Sequence, residues 1–214
     1  MASELVELAQ ELEDDDSTRL FVLSGSGAEF CAGFEPDVDP RLVETLAAVS
    51  KPTLAVINGA AIDEGLELAL ALDIRVASPT ARFALTQVGR GLIPSFGGTQ
   101  RLPRIVGQTA ALKMILTGEA IGAREAARLG LVARLAPRSG ALAAVAGEAI
   151  DALLARGPIA VKLAKEAVLK GTDMTLAQGI RLEEDLYALL QTTADRAEGV
   201  RAFLDKRKPL FKGE

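Results

Sequence analysis

The chain has 214 residues, 49% hydrophobic and 25% charged, a balance that suits a soluble globular protein with one sizeable core. Lys+Arg at 24 against Asp+Glu at 29 gives a net charge of −5, and aromatics are 4%, so neither binding to a nucleic-acid backbone nor a base-stacking platform is indicated. Histidine is absent, which excludes a Ser-His-Asp triad, a Cys-His dyad and any His-ligated metal.

Proton transfer therefore falls to carboxylates, Lys, Cys or the single tyrosine, Tyr187. The single cysteine, Cys31, excludes an internal disulfide and points to a reducing compartment. No apolar run reaches the roughly 18 residues of a membrane span. The acidic start "MASELVELAQELEDDD" lacks the basic-then-apolar order of a secretory signal.

In chain order, Leu5, Leu8, Ala9 and Leu12 fall at helical spacing in an acidic amphipathic helix. "TRLFVLSGSG" reads as a buried strand stopped by glycines, and its two-glycine turn is only a weak phosphate-loop signal. The loop "AEFCAGFEPDVDP", the helix "RLVETLAAVS" and the strand "KPTLAVINGA" follow. After an apolar helix come the strand-like "DIRVAS" and "ARFAL", then a Gly/Pro-rich loop opening a helix near Thr99. "TAALKMILTGE" and "GAREAARLG" are helical, the second closing on Gly130, and "LVARLA" is the last strand. From about residue 138 only helical patterns remain, in four stretches.

Three carboxylates crowd the start of the apolar helix, in "AIDEGLELALAL". Asp63 reads as an N-cap, a role worth roughly 0.5–2 kcal/mol that needs no catalysis. Glu67, between Leu66 and Leu68, faces either the interior or a cleft, with a surface position as the alternative. If enclosed, its pKa rises, which suits a general acid or base near neutral pH. Cys31 reads as a small buried hydrophobe because no His is present to activate it. Phe34, Phe83 and Phe96 either line a pocket or belong to the core.

Five segments in this order, "FCAGFEPD", "KPTLAVINGAAIDEGLELALALDIRVAS", "GLIPSFGGTQRLPRIVG", "ILTGEAIGAREAARLGLV" and "AFLDKRKPLFKG", resemble the crotonase superfamily of enoyl-CoA hydratases and isomerases. The likeness runs through nearly the whole chain. It implies an α/β fold: a crotonase-like ββα spiral core over residues 1–137 and a helical C-terminal trimerisation region over 138–214. It also implies a thioester oxyanion hole of two backbone N–H groups, which carry over to Phe34 and Glu64. The first catalytic glutamate of the hydratases matches Glu67, and the second matches Gln87. The substrate-binding set so implied is Ala32, Phe34, Asp37, Glu64 and Lys212. "KRKPLFKGE" reads either as a solvated tail or as the place where Lys212 meets CoA phosphates of a neighbouring subunit.

The resemblance thus implies an enoyl-CoA hydratase-like lyase, adding water across an enoyl-CoA double bond in cytoplasmic fatty acid metabolism. It needs no cofactor beyond the coenzyme A of its substrate and no metal. The expected partners are the acyl-CoA and further copies of the chain, as a homotrimer or dimer of trimers, with no nucleic acid and no membrane. The alternatives are another reaction of the same kind (isomerase, thioester hydrolase, decarboxylase) or a non-catalytic acyl-CoA-binding subunit. RNA binding, known for some relatives, is opposed by the net charge of −5.

Three departures stand out. Gln87 can orient a water but cannot exchange a proton. The family's glycine-rich turn is here Asp63-Glu64-Gly65, which sets a carboxylate beside the second oxyanion donor. The chain also starts at a helix that family members usually reach only after a β-hairpin and another helix, as expected of a shortened homologue or an incomplete gene product.

Overall fold

Short, mostly apolar runs build two small sheets rather than one. The computed structural model describes residues 2–34, 38 and 41–214. One sheet is parallel throughout, with strands β1 (Phe21–Ser24), β2 (Thr53–Ile57), β4 (Ile74–Ala77) and β7 (Arg134–Leu135) side by side in that order. The other has the order β3 (Ala60–Ile62), β5 (Arg82–Ala84), β6 (Ile121–Gly122), with β6 antiparallel. Two successive turns of the chain place one strand in each sheet and then a helix: β2, β3 and α3 (Glu64–Ala71), then β4, β5 and α4 (Gly98–Val106). This is the ββα spiral.

The remaining elements of the first part are α1 (Ala2–Asp14), α2 (Arg41–Ala48), α5 (Gln108–Thr117) and α6 (Ala123–Arg128). On α1, Val6 rather than Leu8 joins Leu5 and Leu12 against the core, and Leu8 is exposed. Strand β1 is an edge strand, and its alternate residue Val22 is 41% exposed, so only one face of the expected buried strand is covered. Gly130 closes α6 with φ 79°, in the left-handed conformation that its place after the helix predicted.

Apart from Glu64 and Glu67, helix α3 is apolar on every face because it is enclosed all round: every residue from Gly65 to Ala71 is buried. Its C-terminal carbonyls are held by a buried guanidinium. Arg75 donates Nη1 to Leu72 O at 2.5 Å and to Ala69 O at 3.2 Å, and Nε to Leu131 O at 2.6 Å. Burial lowers the Arg75 pKa to about 10, which leaves it charged at neutral pH. A cation at the negative end of the helix dipole fixes the helix that carries Glu67. Thr53 and Asp73 exchange two further bonds of 2.8 Å, pinning the start of β2 to the turn before β4.

The chain divides into two compact units, residues 1–49 with 53–149, and residues 50–52 with 150–214. The first unit thus runs on to Ala149, beyond the last strand, and the division falls inside α7 (Leu142–Leu154). The second unit holds α8 (Pro158–Gly171), α9 (Leu176–Leu190) and α10 (Ala194–Leu204). Thr175 and Gln178 form a reciprocal capping box at the start of α9. The C-terminal segment is anchored rather than merely solvated. Asp195 accepts from the N–H groups of Lys212 (2.7 Å) and Gly213 (2.9 Å), and Arg207 forks onto Glu198 at 2.6 and 3.0 Å.

Candidate active site

The loop after β1 does not hang free. Cys31 bridges in parallel to Ala61 of β3, Phe30 and Cys31 N–H donate to Ala60 O at 3.0 Å, and Ile62 N–H returns to Cys31 O at 3.0 Å. Asn58 Nδ2 holds the same loop through Gly27 O and Glu29 O. These bonds lay the strand of backbone that ends in Phe34 beside the start of α3. Only glycine fits at position 65, since a Cβ there would drive into the Cys31 carbonyl.

The first turn of a helix leaves its N–H groups without intrahelical acceptors. Glu64 is the first residue of α3, and among the described residues neither its N–H nor that of Phe34 meets a backbone acceptor. The Glu64 carboxylate is half-buried and turns towards the same loop, with Oε2 3.3 Å from where a Cβ on Gly33 would stand. Ala32 is exposed at the rim of this loop. Asp37 lies outside the described residues.

Glu67 faces inwards, with 0% of its surface exposed. Its Oε1 accepts from Gly98 N–H at 2.7 Å and from Phe96 N–H at 2.8 Å, so the N-terminus of α4 is aimed at a carboxylate. Its Oε2 accepts from Gln87 Nε2 at 3.2 Å. Gly98 has to be glycine for this approach, because a Cβ there would stand 2.9 Å from Oε1. Burial raises the Glu67 pKa above the ordinary carboxylate value, the two N–H bonds oppose the rise, and the nearby Glu64 charge adds to it.

Gln87 opens a short 3-10 turn, Gln87–Arg90, and is 2% exposed. Its Nε2 is committed to Glu67, and its buried Oε1 has no hydrogen-bond partner among the described residues. A buried amide oxygen left without a donor costs roughly 1–3 kcal/mol, which a polar ligand or water can relieve.

The N-cap expected at Asp63 is not formed: its side chain makes no capping bond to α3. It reaches across to the exit of β5 instead. Oδ1 accepts from Thr86 N–H at 2.5 Å, and Oδ2 accepts from Thr86 Oγ1 at 2.8 Å and from Arg90 Nη2 at 2.9 Å.

Of the phenylalanines, Phe83 is core at 0% exposure, whereas Phe34 and Phe96 are half-buried and meet edge to face with centroids 5.5 Å apart. Arg101 Nη1 holds the Phe96 carbonyl at 2.8 Å. Cys31 stays a thiol, its pKa raised chiefly by burial. Lys212 belongs to the second unit, with its backbone held by Asp195 and its side chain exposed. The first unit thus gathers Phe34, Glu64, Glu67 and Gln87 around one buried carboxylate. The Phe96 and Gly98 donors have no signature in the sequence beyond the glycine pair in "SFGGTQR".

A family model described as enoyl-CoA hydratase/isomerase matches residues 1–214. The chain belongs to that family. It is 38% identical over 226 residues to (E)-benzylidenesuccinyl-CoA hydratase of Thauera aromatica, covering 99% of this chain and 88% of that protein. It is likewise 38% identical to 2,3-dehydroadipyl-CoA hydratase of Escherichia coli, over 98% of this chain and 88% of that protein. The crystal structure of an enoyl-CoA hydratase from Bacillus anthracis superposes with a TM-score of 0.94 at 36% identity, over 100% of this chain and 88% of that one. The fold is that of the crotonases. Family membership accounts for a helix start laid against the loop after β1.

Proposed function

We propose that this chain is an acyl-CoA hydratase that adds water to a 2-enoyl-CoA with Glu67 as its one proton-transfer group. The observation that carries this reading is the enclosed Glu67 carboxylate, held by Phe96 N–H, Gly98 N–H and Gln87 Nε2 with a raised pKa. A base poised towards neutrality is what deprotonating a bound water calls for. The N–H groups of Phe34 and Glu64 would receive the thioester oxygen as negative charge develops on it. Each such donor is typically worth about 2.7–4 kcal/mol in the transition state.

In this mechanism water donates one hydrogen to Glu67 and its oxygen bonds to the β-carbon. The electron pair of the double bond moves to the thioester oxygen as an enolate. The proton on Glu67 then passes to the α-carbon, which restores the carboxylate and the neutral thioester. Gln87 Oε1, buried and without a donor among the described residues, would accept the second hydrogen of the water and orient it. One carboxyl group does both proton transfers, so this reading asks less of position 87 than a two-glutamate mechanism does.

The single carboxylate also favours a second reading, double-bond isomerisation, in which one group moves a proton between carbons and no water adds. Incubation with crotonyl-CoA and with a 3-enoyl-CoA separates the two. Hydration of the first supports the proposal. Conversion of the second without hydration of either supports isomerisation, and tight binding with no turnover of a thioester panel would make the chain a binding subunit.

Self-association belongs to the same proposal. On the second unit, Leu176, Phe203, Leu204 and Leu210 are 80%, 81%, 71% and 76% exposed, and α9 has no buried residue. That is more apolar surface than a small helical layer ordinarily leaves in water. A homotrimer or dimer of trimers would cover it, with Lys212 available to a neighbour's CoA phosphates. The aqueous, reducing cytoplasm suits one free cysteine and described helices none of which is long and apolar enough to cross a membrane.

A further inference from the structure

Asp63 holds a backbone conformation that side chains rarely adopt, φ 51° and ψ −117°, at the step between β3 and α3. This dihedral pair belongs to the first central position of a type II′ turn, where glycine dominates, and such strain costs on the order of 1–3 kcal/mol. It persists here because every polar group of the residue is tied. Its N–H donates to Ala84 O at 2.9 Å, and its carbonyl accepts from Leu66 N–H and Glu67 N–H at 3.0 Å. Its carboxylate, in a residue only 6% exposed, takes Thr86 N–H, Thr86 Oγ1 and Arg90 Nη2.

The neighbours of these bonds are the groups used above. The residue after Asp63 is Glu64, whose N–H is the second oxyanion donor. The Asp63 carbonyl receives the N–H of Glu67. The residue after Thr86 is Gln87. We infer that Asp63 is a positioning residue: its carboxylate clamps the oxyanion turn to the Gln87 turn, doing with a side chain what the family's glycine does by conformational freedom alone. The inference rests on the hydratase reading of the site. Arg90 is the least important arm, since its side chain is 57% exposed and a solvent-facing pair contributes little.

Glycine separates clamp from strain. Asp63→Gly frees the backbone angle and removes the carboxylate. It should keep or raise the melting temperature while kcat falls about 10–100-fold, with KM within about threefold, as expected of a donor displaced by a fraction of an ångström to ~1 Å. Asp63→Asn tolerates positive φ and can bond both Thr86 groups, so it should stay within about threefold of the wild type. Thr86→Val, which loses the hydroxyl but keeps the N–H, should lower kcat by less than Asp63→Gly.

A merely structural role would move stability and leave kcat alone, so Asp63→Gly with wild-type kcat overturns the clamp. So does Asp63→Asn failing as badly as glycine. If the wild type turns over no enoyl-CoA, the hydratase reading falls, and the clamp is then read spectroscopically. A bound 3-ketoacyl-CoA enolises against the two N–H groups, and its enolate absorbance should drop at least about tenfold in Asp63→Gly and less than about threefold in Asp63→Asn. Equal absorbance in all three proteins overturns the clamp by itself.

Discussion

Glu67 Oε1 lies 2.7 Å from the N–H of Gly98, the first residue of α4, so the buried carboxylate of one helix closes the open N-terminus of another. The contact serves both sides. The helix end gains an anion, and the anion gains two backbone donors that compensate part of its desolvation. Any change at Glu67 is therefore a test of the site and of the packing together.

Glu67→Gln preserves the acceptor that faces Phe96 and Gly98, and it removes a buried charge. Gln87 can turn its amide so that its unpartnered Oε1 accepts from the new amide nitrogen. The variant should fold with a melting temperature no lower than the wild type, while hydration falls by about 10²–10⁴. Circular dichroism and a crotonyl-CoA assay on the same preparation check both halves.

The pH dependence has a definite sign. Burial raises the Glu67 pKa in the folded state above its unfolded value. Between the two values the native protein binds more protons than the unfolded chain, so stability falls as pH rises through this window. Below the unfolded pKa the contribution is fully present. Melting temperature against pH should therefore show a component that declines on the alkaline side of pH 4.5, the ordinary value, and that Glu67→Gln abolishes. Activity runs the other way, since the base must be ionised: kcat/KM should rise with pH through the same raised pKa.

Gly65→Ala tests the loop that carries Phe34. The added Cβ would collide with the Cys31 carbonyl, whose partner is Ile62 N–H, and backbone on both sides is fixed by the β3 bridge. Overpacking of this kind typically costs about 1–3 kcal/mol. Thermal melting should fall by several degrees, and activity should fall further than stability alone explains, because the two N–H groups part.

How much of this could be read from the sequence differs residue by residue. Glu67 was legible as a candidate because it lies between Leu66 and Leu68 in an apolar helix, and the structure decides for the enclosed position over the surface one. Strands β1, β2, β4, β5 and β7 and the four late helices were legible from apolar runs and from Gly/Pro punctuation, whereas β3 and β6, of three and two residues, are too short to leave a pattern. Asp63 looks like a cap in the sequence because its partners, Thr86 and Arg90, lie more than twenty residues on, where local pattern cannot reach. The donors of Phe96 and Gly98 were invisible for another reason: backbone N–H groups leave no side-chain signature. Helical spacing puts Leu8 with the core, and the glycine-bounded apolar run puts Val22 in a buried strand, but only tertiary packing decides which neighbouring face an edge element buries.

Self-association is checked by multi-angle light scattering at micromolar concentration, with a mass of three or six chains expected. Phe203→Asp together with Leu204→Asp should lower that mass by setting charges into the exposed apolar patch. A stable monomer in the wild type would count against the oligomer.

Gln87→Glu tests the chain's departure from the two-glutamate pattern. The Gln87 Nε2 to Glu67 Oε2 distance of 3.2 Å means that the substitution sets two carboxyl groups within hydrogen-bond reach. Both cannot ionise at that separation, so one holds the proton and its pKa is driven up while the other stays ionised. The protonated partner would deliver its proton to the α-carbon while the ionised one deprotonates water, which divides the two transfers that the proposed mechanism assigns to Glu67 alone. Crotonyl-CoA hydration should rise by about an order of magnitude, from the roughly 10²–10⁴ that a well-placed acid or base supplies. The pH–rate profile should change from a single acid limb to a bell, and Glu67→Gln in that background should remove the gain. An unchanged rate, with the fold and thioester binding intact, would mean that Gln87 serves by orienting water, that its amide suits a different reaction, or that the site only binds.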